Sequence, residues 1–259
     1  MNPQMERFES GPADADRTVL LLPGGLNRAR SFAEVMGEPA LADVLLVAAT
    51  LPGHGGTPAP DDFSIETAAA IAAQLAIEID SDIVVGFSMG ASVALEMVTS
   101  GAFSGPVVLL GISLSAADEP GFLVALDRLG AVLGSLPYSA MRQTMGSMTK
   151  HVRVPEARRA ELLDDLRLNA APVIRQIFHG YLQYLGRDAA PAYRLCHSGV
   201  PAWVVHAEKG DGGLTDDERH SLEACPTATL VTIPGTSFML PNEESGRIAD
   251  VMVEALART

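Results

Sequence analysis

The sequence is poor in the features that mark several whole classes of protein. Its 259 residues include 18 lysines and arginines against 32 aspartates and glutamates, so the formal net charge is −14. This charge repels phosphate backbones and anionic lipid headgroups, and no basic cluster offsets it. No apolar run approaches the roughly 20 residues that cross a bilayer. We therefore expect neither a nucleic-acid partner nor a membrane span.

Cysteine is also scarce, with only Cys196 and Cys225 present. Their spacing does not match a metal site, and two cysteines build no disulfide framework. We expect both to be reduced thiols. Residues 1–8 contain no apolar segment typical of a secretion signal, which together with the reduced thiols predicts a cytoplasmic protein.

Signatures of bound cofactors are missing as well. Gly24 and Gly25 do not continue as the G-x-G-x-x-G pattern of dinucleotide-binding proteins. The acidic residues have no histidine or cysteine at the spacing of metal ligands. The sequence therefore predicts a cofactor-free site that acts on a small molecule.

Short, continuous apolar runs recur along the chain. Their length is that of strands buried on both faces, and segments of helical periodicity separate them. One such segment, 64–79, has a capping pattern at its start in Ser64 and Thr67. This alternation predicts an α/β fold, a mostly parallel sheet with helices on both faces. The predicted strands are 18–22, 44–49, 83–85, 107–110, 202–206 and 228–233.

The alternation stops between residues 113 and 200. This stretch has no strand-like run and carries apolar residues at helical spacing, notably in 156–168 and 173–185. We predict a helical cap at 113–200, inserted into a core made of residues 1–112 and 201–259. Its adaptable side chains either close over an apolar substrate or hold the cap on the core. They are Phe122, Met141, Met145, Met148, Tyr181 and Tyr184.

The sequence Gly-Phe-Ser-Met-Gly at 86–90 lies between a predicted strand and a predicted helix. In that context G-x-S-x-G indicates a strained turn that pushes the hydroxyl of Ser88 outwards. Gly86 and Gly90 allow other backbone to approach the turn closely. The alternative is an ordinary tight turn.

The order of these motifs resembles that of the α/β-hydrolase family, from Val19 to the last helix. The resemblance rests on Pro-Gly-Gly at 23–25, Leu-Pro-Gly-His-Gly at 51–55, the 86–90 motif, the loop at Asp211 and Pro-Gly-Thr-Ser at 234–237. As a set they indicate the fold more strongly than the substrate. The resemblance implies acyl transfer by a serine, assisted by a histidine base and a carboxylate.

The resemblance also implies roles for particular residues. Ser88 is the expected nucleophile, and the N–H groups of Met89 and Gly25 are the expected oxyanion hole, with Leu26 as the alternative to Gly25. Asp211 is the expected acid. A solvated loop carboxylate is the alternative for it, and two further aspartates, Asp216 and Asp217, follow on a predicted helix. The expected substrate pocket is formed by Leu26, Met141, Met145 and Tyr181.

The expected base is where the sequence departs from the family. The family's last turn reads Pro-Gly-Thr-Ser-His, and the matching residue here is Phe238. A phenyl ring cannot accept a proton. Six histidines remain, and none stands out as a substitute: His54, His151, His179, His197, His206 and His220.

Three functions are therefore open. The first is a serine ester or thioester hydrolase for a small or medium apolar acyl substrate, impaired by Phe238. The second is a non-hydrolytic, cofactor-free catalyst such as a lyase, isomerase or cyclase, and the third is a binding protein without turnover. The oligomeric state is not predicted.

Overall fold

The computed structural model describes residues 5–187, 190–210 and 213–259, with backbone alone at 147 and 148. The predicted role of the Met148 side chain thus lies outside the described part. Seven strands form one sheet. They are β1 (Arg7–Ser10), β2 (Thr18–Leu22), β3 (Leu45–Ala49), β4 (Ile83–Phe87), β5 (Val107–Leu110), β6 (Ala202–Lys209) and β7 (Ala228–Thr236).

The strands lie in the order β1-β3-β2-β4-β5-β6-β7. β1 pairs antiparallel with β3, and all the other neighbours are parallel. The carboxyl ends of the parallel strands therefore meet along one edge, where open α/β sheets bind their ligands. The predicted fold class is confirmed.

α-Helices pack on both faces of this sheet, and others lie outside it, in the part of the chain that the structure describes. They are α1 (Ala33–Met36), α2 (Ile65–Glu78), α3 (Met89–Thr99), α4 (Gly121–Leu133), α5 (Leu136–Met148), α6 (Glu156–Arg167), α7 (Ala171–Arg187), α8 (Pro191–Ser198), α9 (Asp216–Glu223), α10 (Leu240–Glu243) and α11 (Ser245–Leu256). Short 3-10 helices span Ala29–Phe32, Pro39–Leu41 and Thr149–His151.

Alternation of side chains along the strands produces two cores. Leu20, Val84 and Leu109 face α2, α3 and α7 on one side of the sheet. Leu21 and Val85 face α1 and α11 on the other. Because β2, β4 and β5 are buried on both faces, they appear in the sequence as continuous apolar runs.

The start of α2 shows how local sequence sets an element. The Ser64 side chain accepts a hydrogen bond from the backbone N–H of Thr67, as the capping pattern predicted. The helix then buries a stripe of small residues against the sheet. α9 begins in the same manner, because Thr215 and Glu218 form a reciprocal capping box.

Five α-helices, α4 to α8, lie between β5 and β6 in the part of the chain that the structure describes. Polar contacts join this segment to α1 and to the 3-10 helix that precedes it. Arg158 on α6 binds Glu34, with Nε 2.6 Å from Oε1, and donates to the carbonyl of Arg30 at 2.6 Å. Such half-buried, multidentate arginine contacts are more favourable than exposed ion pairs.

Two features differ from the sequence analysis. No strand was predicted before Thr18, yet β1 pairs with β3 over residues 7–10. The two cysteines were expected to be separate thiols, and Cys196 and Cys225 instead form a disulfide with Cα atoms 5.7 Å apart. The reason is that α8 and α9 pack together, which brings the two positions within the span of a disulfide.

Within residues 5–187, 190–210 and 213–259, no helix combines the length and apolar character needed to cross a membrane.

Candidate active site

Ser88 occupies a sharp turn between β4 and α3. Its backbone has φ 50° and ψ −118°, a strained conformation for a residue with a side chain. The strand before it ends at Phe87, the helix after it begins at Met89, and the N–H of Ser88 donates to Leu110 O at 2.8 Å. This geometry is that of a strand-to-helix elbow, which presents the hydroxyl at the sheet edge.

Two glycines make the elbow possible. A Cβ added at Gly90 would lie 2.1 Å from the carbonyl oxygen of Leu22, and one at Gly86 would lie 2.3 Å from that of Gly90. Both distances are far below a van der Waals contact. The strand, the turn and the loop after β2 can therefore pack only when these positions lack a side chain.

The loop after β2 lies beside the start of α3. A Cβ at Gly25 would be 3.0 Å from the Cε atom of Met89, so the two residues are direct neighbours. Met89 is the first residue of α3, and the N–H groups of a first helical turn have no partner within the helix. Leu26 follows in a left-handed conformation with φ 67°. The elbow and this loop together offer backbone N–H groups close to Ser88.

A buried asparagine holds this loop in place. Asn169, which follows α6, is 1% exposed. Its Nδ2 donates to the carbonyl of Leu26 at 2.8 Å, and its Oδ1 accepts the N–H of Gly55 at 2.8 Å. One amide thus joins two sheet-edge loops to the α4–α8 segment. The sequence analysis did not identify Asn169, because nothing in its surroundings marks it.

A cavity of about 370 Å³ opens above Ser88. Its walls come from the loop after β2, the elbow, the loop after β5, and α4, α5 and α7. Of the predicted site residues, the structure brings eight to this one cavity, namely Ser88, Met89, Gly25, Leu26, Met141, Met145, Tyr181 and Phe238. Phe122 also lines it, whereas Tyr184 is directed elsewhere and donates its hydroxyl to Glu96 at 3.2 Å.

Phe238 lies in the turn after β7 and is 42% exposed. The backbone N–H groups of Phe238 and Met239 both donate to Oε1 of Glu243 at 2.8 Å. The other oxygen of Glu243 accepts from Nε of Arg153 at 3.0 Å. The turn is therefore fixed by a buried carboxylate and tied to the segment before α6.

The histidine rings lie elsewhere than at the position expected for the catalytic base. No histidine lines the cavity among the described residues. The ring of His151 lies 5.8 Å, centre to centre, from that of Phe238 and is exposed. His54 is buried; its Nδ1–H donates to Pro52 O at 3.1 Å, and its Nε2 lies 3.4 Å from the sulfur of Met89. Burial lowers the pKa of His54 to about 4, so this ring is neutral at pH 7.

The other four histidines do not line the cavity. His206 is 1% exposed within β6. Nδ1 of His179 lies 3.0 Å from Oδ1 of Asp127 on an exposed helix face, and the ring of His197 is tilted against that of Tyr193 with their centres 3.6 Å apart. His220 is exposed on α9.

The predicted acid, Asp211, lies outside the described residues. Asp216 and Asp217 lie in the first turn of α9, as predicted, and are exposed. A different carboxylate pair is found near the loop after β5. Burial, together with the charge of Glu218, raises the pKa of Asp118; burial also opposes ionisation of Glu218, whose hydrogen bonds from Thr215 nevertheless lower its pKa.

Two polar residues of the cavity were missed by the sequence analysis. Glu119 accepts hydrogen bonds at Oε1 from Ser113 Oγ, at 2.6 Å, and from the hydroxyl of Tyr181, at 2.7 Å. Burial, reinforced by the charge of Glu119, raises the pKa of Tyr181 well above its usual value, so this phenol remains a donor. The position of Ser113 and Glu119 just after β5, at the carboxyl edge, is the signal that would have found them.

Metal-binding groups do not assemble in the described part of the chain, where no three histidine, cysteine, aspartate or glutamate side chains converge. The polar side chains that line the cavity include the Ser88 hydroxyl, the carboxylates of Asp118 and Glu119, and the hydroxyls of Ser113 and Tyr181.

Solved structures share this architecture. The esterase EaEST from Exiguobacterium antarcticum superposes with a TM-score of 0.77 at 16% identity, covering 98% of this chain and 96% of its own. A thermophilic esterase from Thermogutta terrifontis gives 0.73 at 17%, covering 98% and 93%. The thioesterase domain from the curacin biosynthetic pathway gives 0.70 at 20%, covering 97% and 99%. At these identities the likeness shows the fold alone.

No curated protein matches the sequence. The sequence model of the alpha/beta hydrolase family matches residues 19–251, which is most of the chain. The elbow at Ser88, the sheet order and this match agree, and the chain belongs to the alpha/beta hydrolase family.

Proposed function

We propose that this protein is a serine hydrolase-type enzyme for esters or thioesters of small or medium apolar acids, impaired by phenylalanine at the position of the catalytic base. The observation that carries the proposal is the strained elbow, which places Ser88 at the floor of a largely apolar cavity. The fold neighbours include esterases and a thioesterase domain, which is consistent with acyl-transfer chemistry.

In this mechanism the Ser88 hydroxyl attacks the acyl carbonyl. The developing negative charge on the carbonyl oxygen is held by the N–H groups of Met89 and Gly25, two residues that are direct neighbours at the elbow. The tetrahedral intermediate then breaks its bond to the alcohol or thiol, which leaves with the proton of the Ser88 hydroxyl, transferred through solvent. Water next attacks the acyl-serine, which releases the acid and returns a proton to Ser88. Asp211 is the proposed acid, and its partner base is missing because Phe238 accepts no proton.

The expected rate follows from the oxyanion hole and the substrate-binding contacts, which do not depend on the missing base. Enzymes that lose a triad member retain roughly 10³ to 10⁴ of their acceleration over water, from the oxyanion hole and substrate binding. We expect slow turnover of activated esters and an acyl-enzyme that accumulates, because deacylation also needs a base.

Residues 113–200 are proposed to act as a cap, because α4, α5 and α7 supply one wall of the cavity. Asn169 and Arg158 hold this segment against the loops of the core. The cap thus excludes water from the side of the cavity opposite Ser88, which strengthens the N–H contacts to a bound oxyanion.

The test of the serine chemistry is covalent labelling. The full chain is incubated with a fluorophosphonate and digested, and modified peptides are identified by mass spectrometry, with Ser88→Ala as the matched control. We expect modification at Ser88 in the wild type and none in the variant. Unmodified Ser88 at millimolar probe would contradict the proposal.

A non-hydrolytic reaction is the second candidate, favoured by the observation that no histidine lines the cavity among the described residues. The N–H groups of Met89 and Gly25 are then used to stabilise an enolate in a lyase, isomerase or cyclase reaction. Turnover of a substrate by the Ser88→Ala variant would favour this candidate over the first.

The cytoplasmic location remains a prediction. A reducing compartment is expected to keep Cys196 and Cys225 as thiols, whereas the structure joins them. Thiols are titrated in protein isolated from its native cells under alkylating conditions. Two free thiols would support the cytoplasm, and none would support an oxidising compartment.

A further inference from the structure

We propose that the acyl substrate of this cavity carries a protonated amine at the end of its apolar body, and that Glu119 binds this ammonium group. The assignment rests on the proposed function, since it takes the carbonyl to lie at Ser88. It adds the chemical class of the rest of the substrate, which the family does not determine.

The first support is the geometry of Glu119. Both hydrogen bonds that it accepts, from Ser113 and Tyr181, go to Oε1. Its Oε2 accepts none from the described residues, although Glu119 lines the cavity. Two donors thus fix the orientation of the carboxylate and leave one oxygen for a ligand. An ammonium group has three N–H donors and forms its strongest hydrogen bonds with a carboxylate.

The second support is the charge of the cavity wall. Asp118 and Glu119 line it, and no lysine, arginine or histidine does so among the described residues. A carboxylate or phosphate on the substrate would be desolvated there without a counter-charge, which is costly. A cation gains a partner, and the net charge of −14 attracts it from solution.

Of the two carboxylates, Asp118 is already engaged on two sides, by the loop that follows β5 and by the side chain of Glu218. Oδ2 of Asp118 accepts the backbone N–H groups of Leu114 and Ser115, at 2.9 and 2.8 Å, and so closes its own loop. Tyr181 is 3% exposed and its raised pKa keeps it uncharged. The carboxylate of Glu119 is therefore anchored by neutral donors, which leave its negative charge uncompensated.

The remaining wall fits the apolar body of such a molecule. Leu123, Met141, Met145, Leu166 and Phe178 line the space in which Ser88 and Glu119 also lie. A volume of about 370 Å³ accommodates a chain of several methylene groups with its two polar ends. Methionine and leucine adapt to a flexible chain, whereas the polar ends fix its direction.

Binding, which needs no turnover, tests this assignment. Dissociation constants of the full chain for hexylammonium, 1-hexanol and hexanoate are measured by isothermal titration calorimetry at pH 7. We expect hexylammonium to bind at least tenfold more tightly than hexanol, and hexanoate to bind more weakly than hexanol. Equal affinities for all three, or tightest binding of hexanoate, would overturn the proposal.

A pair of variants separates Glu119 from the general negative charge. Glu119→Gln keeps an oxygen for Ser113 and Tyr181 and turns an NH₂ group, a donor, towards the cavity. It should lower the affinity for hexylammonium about tenfold, to that of hexanol, while unchanged hexanol binding reports an intact cavity. Asp118→Asn removes one charge from the neighbouring residue and should leave the preference for the amine in place. Equal losses in both variants would assign the effect to diffuse charge and refute a site at Glu119.

The amine-binding measurements and the fluorophosphonate labelling of Ser88 test separate claims. Labelled Ser88 without a preference for the amine would leave the serine chemistry standing and reject the substrate class. A preference for the amine that depends on Glu119, with Ser88 unlabelled, would reject the serine hydrolase and keep the binding site.

Discussion

The Nδ2 atom of Asn169 donates to the carbonyl of Leu26 at 2.8 Å, and this contact joins the α4–α8 segment to the loop beside Ser88. The same amide receives the N–H of Gly55 at 2.8 Å. Leu26 has φ 67°, an unfavourable conformation for leucine that surrounding contacts must maintain. The buried amide is such a contact.

Asn169→Ala should therefore destabilise the protein and disturb the loop at Gly25. Removing the amide leaves the carbonyl of Leu26 and the N–H of Gly55 buried without partners, a loss of about 3 kcal/mol. Urea unfolding measures it, and slower fluorophosphonate labelling of Ser88 would accompany it. The control is Gln143→Ala, which removes an exposed amide on α5 and should change stability by less than about 0.5 kcal/mol. Similar values for both variants would show that Asn169 does not support the loop.

Phe238→His should restore a base to the turn after β7. A positioned general base contributes roughly 10² to 10⁴ in rate, so we expect at least a hundredfold increase in p-nitrophenyl ester hydrolysis. Phe238→Ala opens the same space without a base and should give no such increase. The double variant with Ser88→Ala should return to the background rate. A flat response to Phe238→His would mean that the acid, the oxyanion hole or the pocket is also deficient.

Asp118→Asn should stabilise the protein at neutral pH. Burial and the charge of Glu218 raise the pKa of Asp118, so the folded state holds its proton more tightly than the unfolded state. The stability due to that proton is fully present below the unfolded pKa, about 4, and is lost as pH rises through the raised folded pKa. Asparagine keeps an acceptor for the loop and does not ionise. The free energy of unfolding of the variant should exceed that of the wild type by up to about 1 kcal/mol at pH 7, which is the size of one net hydrogen bond. At pH 4 the two should be almost equal.

Urea unfolding at pH 4, 5.5 and 7 measures this difference. Asp217→Asn, at an exposed position in the first turn of α9, is the control and should show no gain at any of these pH values. A difference between Asp118→Asn and wild type that shrinks as the pH rises would contradict the prediction.

Gly90→Ala should be strongly destabilising, because its Cβ would lie 2.1 Å from the carbonyl oxygen of Leu22. Relief requires the loop after β2 to move, and we expect a loss of about 3 kcal/mol or more, or no soluble protein. Gly186→Ala is the matched change in α7, where nothing lies within 4 Å of the new Cβ. It should gain about 0.5 kcal/mol from helix propensity. Thermal unfolding compares the two, and a mild effect of Gly90→Ala would mean that the elbow is less closely packed than described.

The parts of the fold predicted from sequence are those with a strong local signal. β2 and β5 were predicted with the bounds that the structure shows, because strands buried on both faces are continuous apolar runs. β1 was not predicted, since Arg7–Ser10 is a partly exposed edge strand without such a run, paired only with β3.

The candidate site likewise contains features with a strong local signal in the sequence and features without one. The strained turn at Ser88 was predicted because glycines, a strand and a helix surround it in sequence. Glu119 and Asn169 were not, since their contacts with Tyr181 and Leu26 join positions 62 and 143 residues apart. The disulfide was missed for the same reason, because no local pattern specifies the packing of α8 on α9.

That bridge also affects the chain when it is unfolded. Cys196 and Cys225 are 29 residues apart, so the bond closes a ring that includes β6, α9 and, in sequence, the position of Asp211. A closed ring of this size has fewer denatured conformations, which raises the free energy of unfolding by about 3–4 kcal/mol in the chain-entropy description. The conformations open to residues 196–225 are thus restricted before any of the native contacts of this segment form.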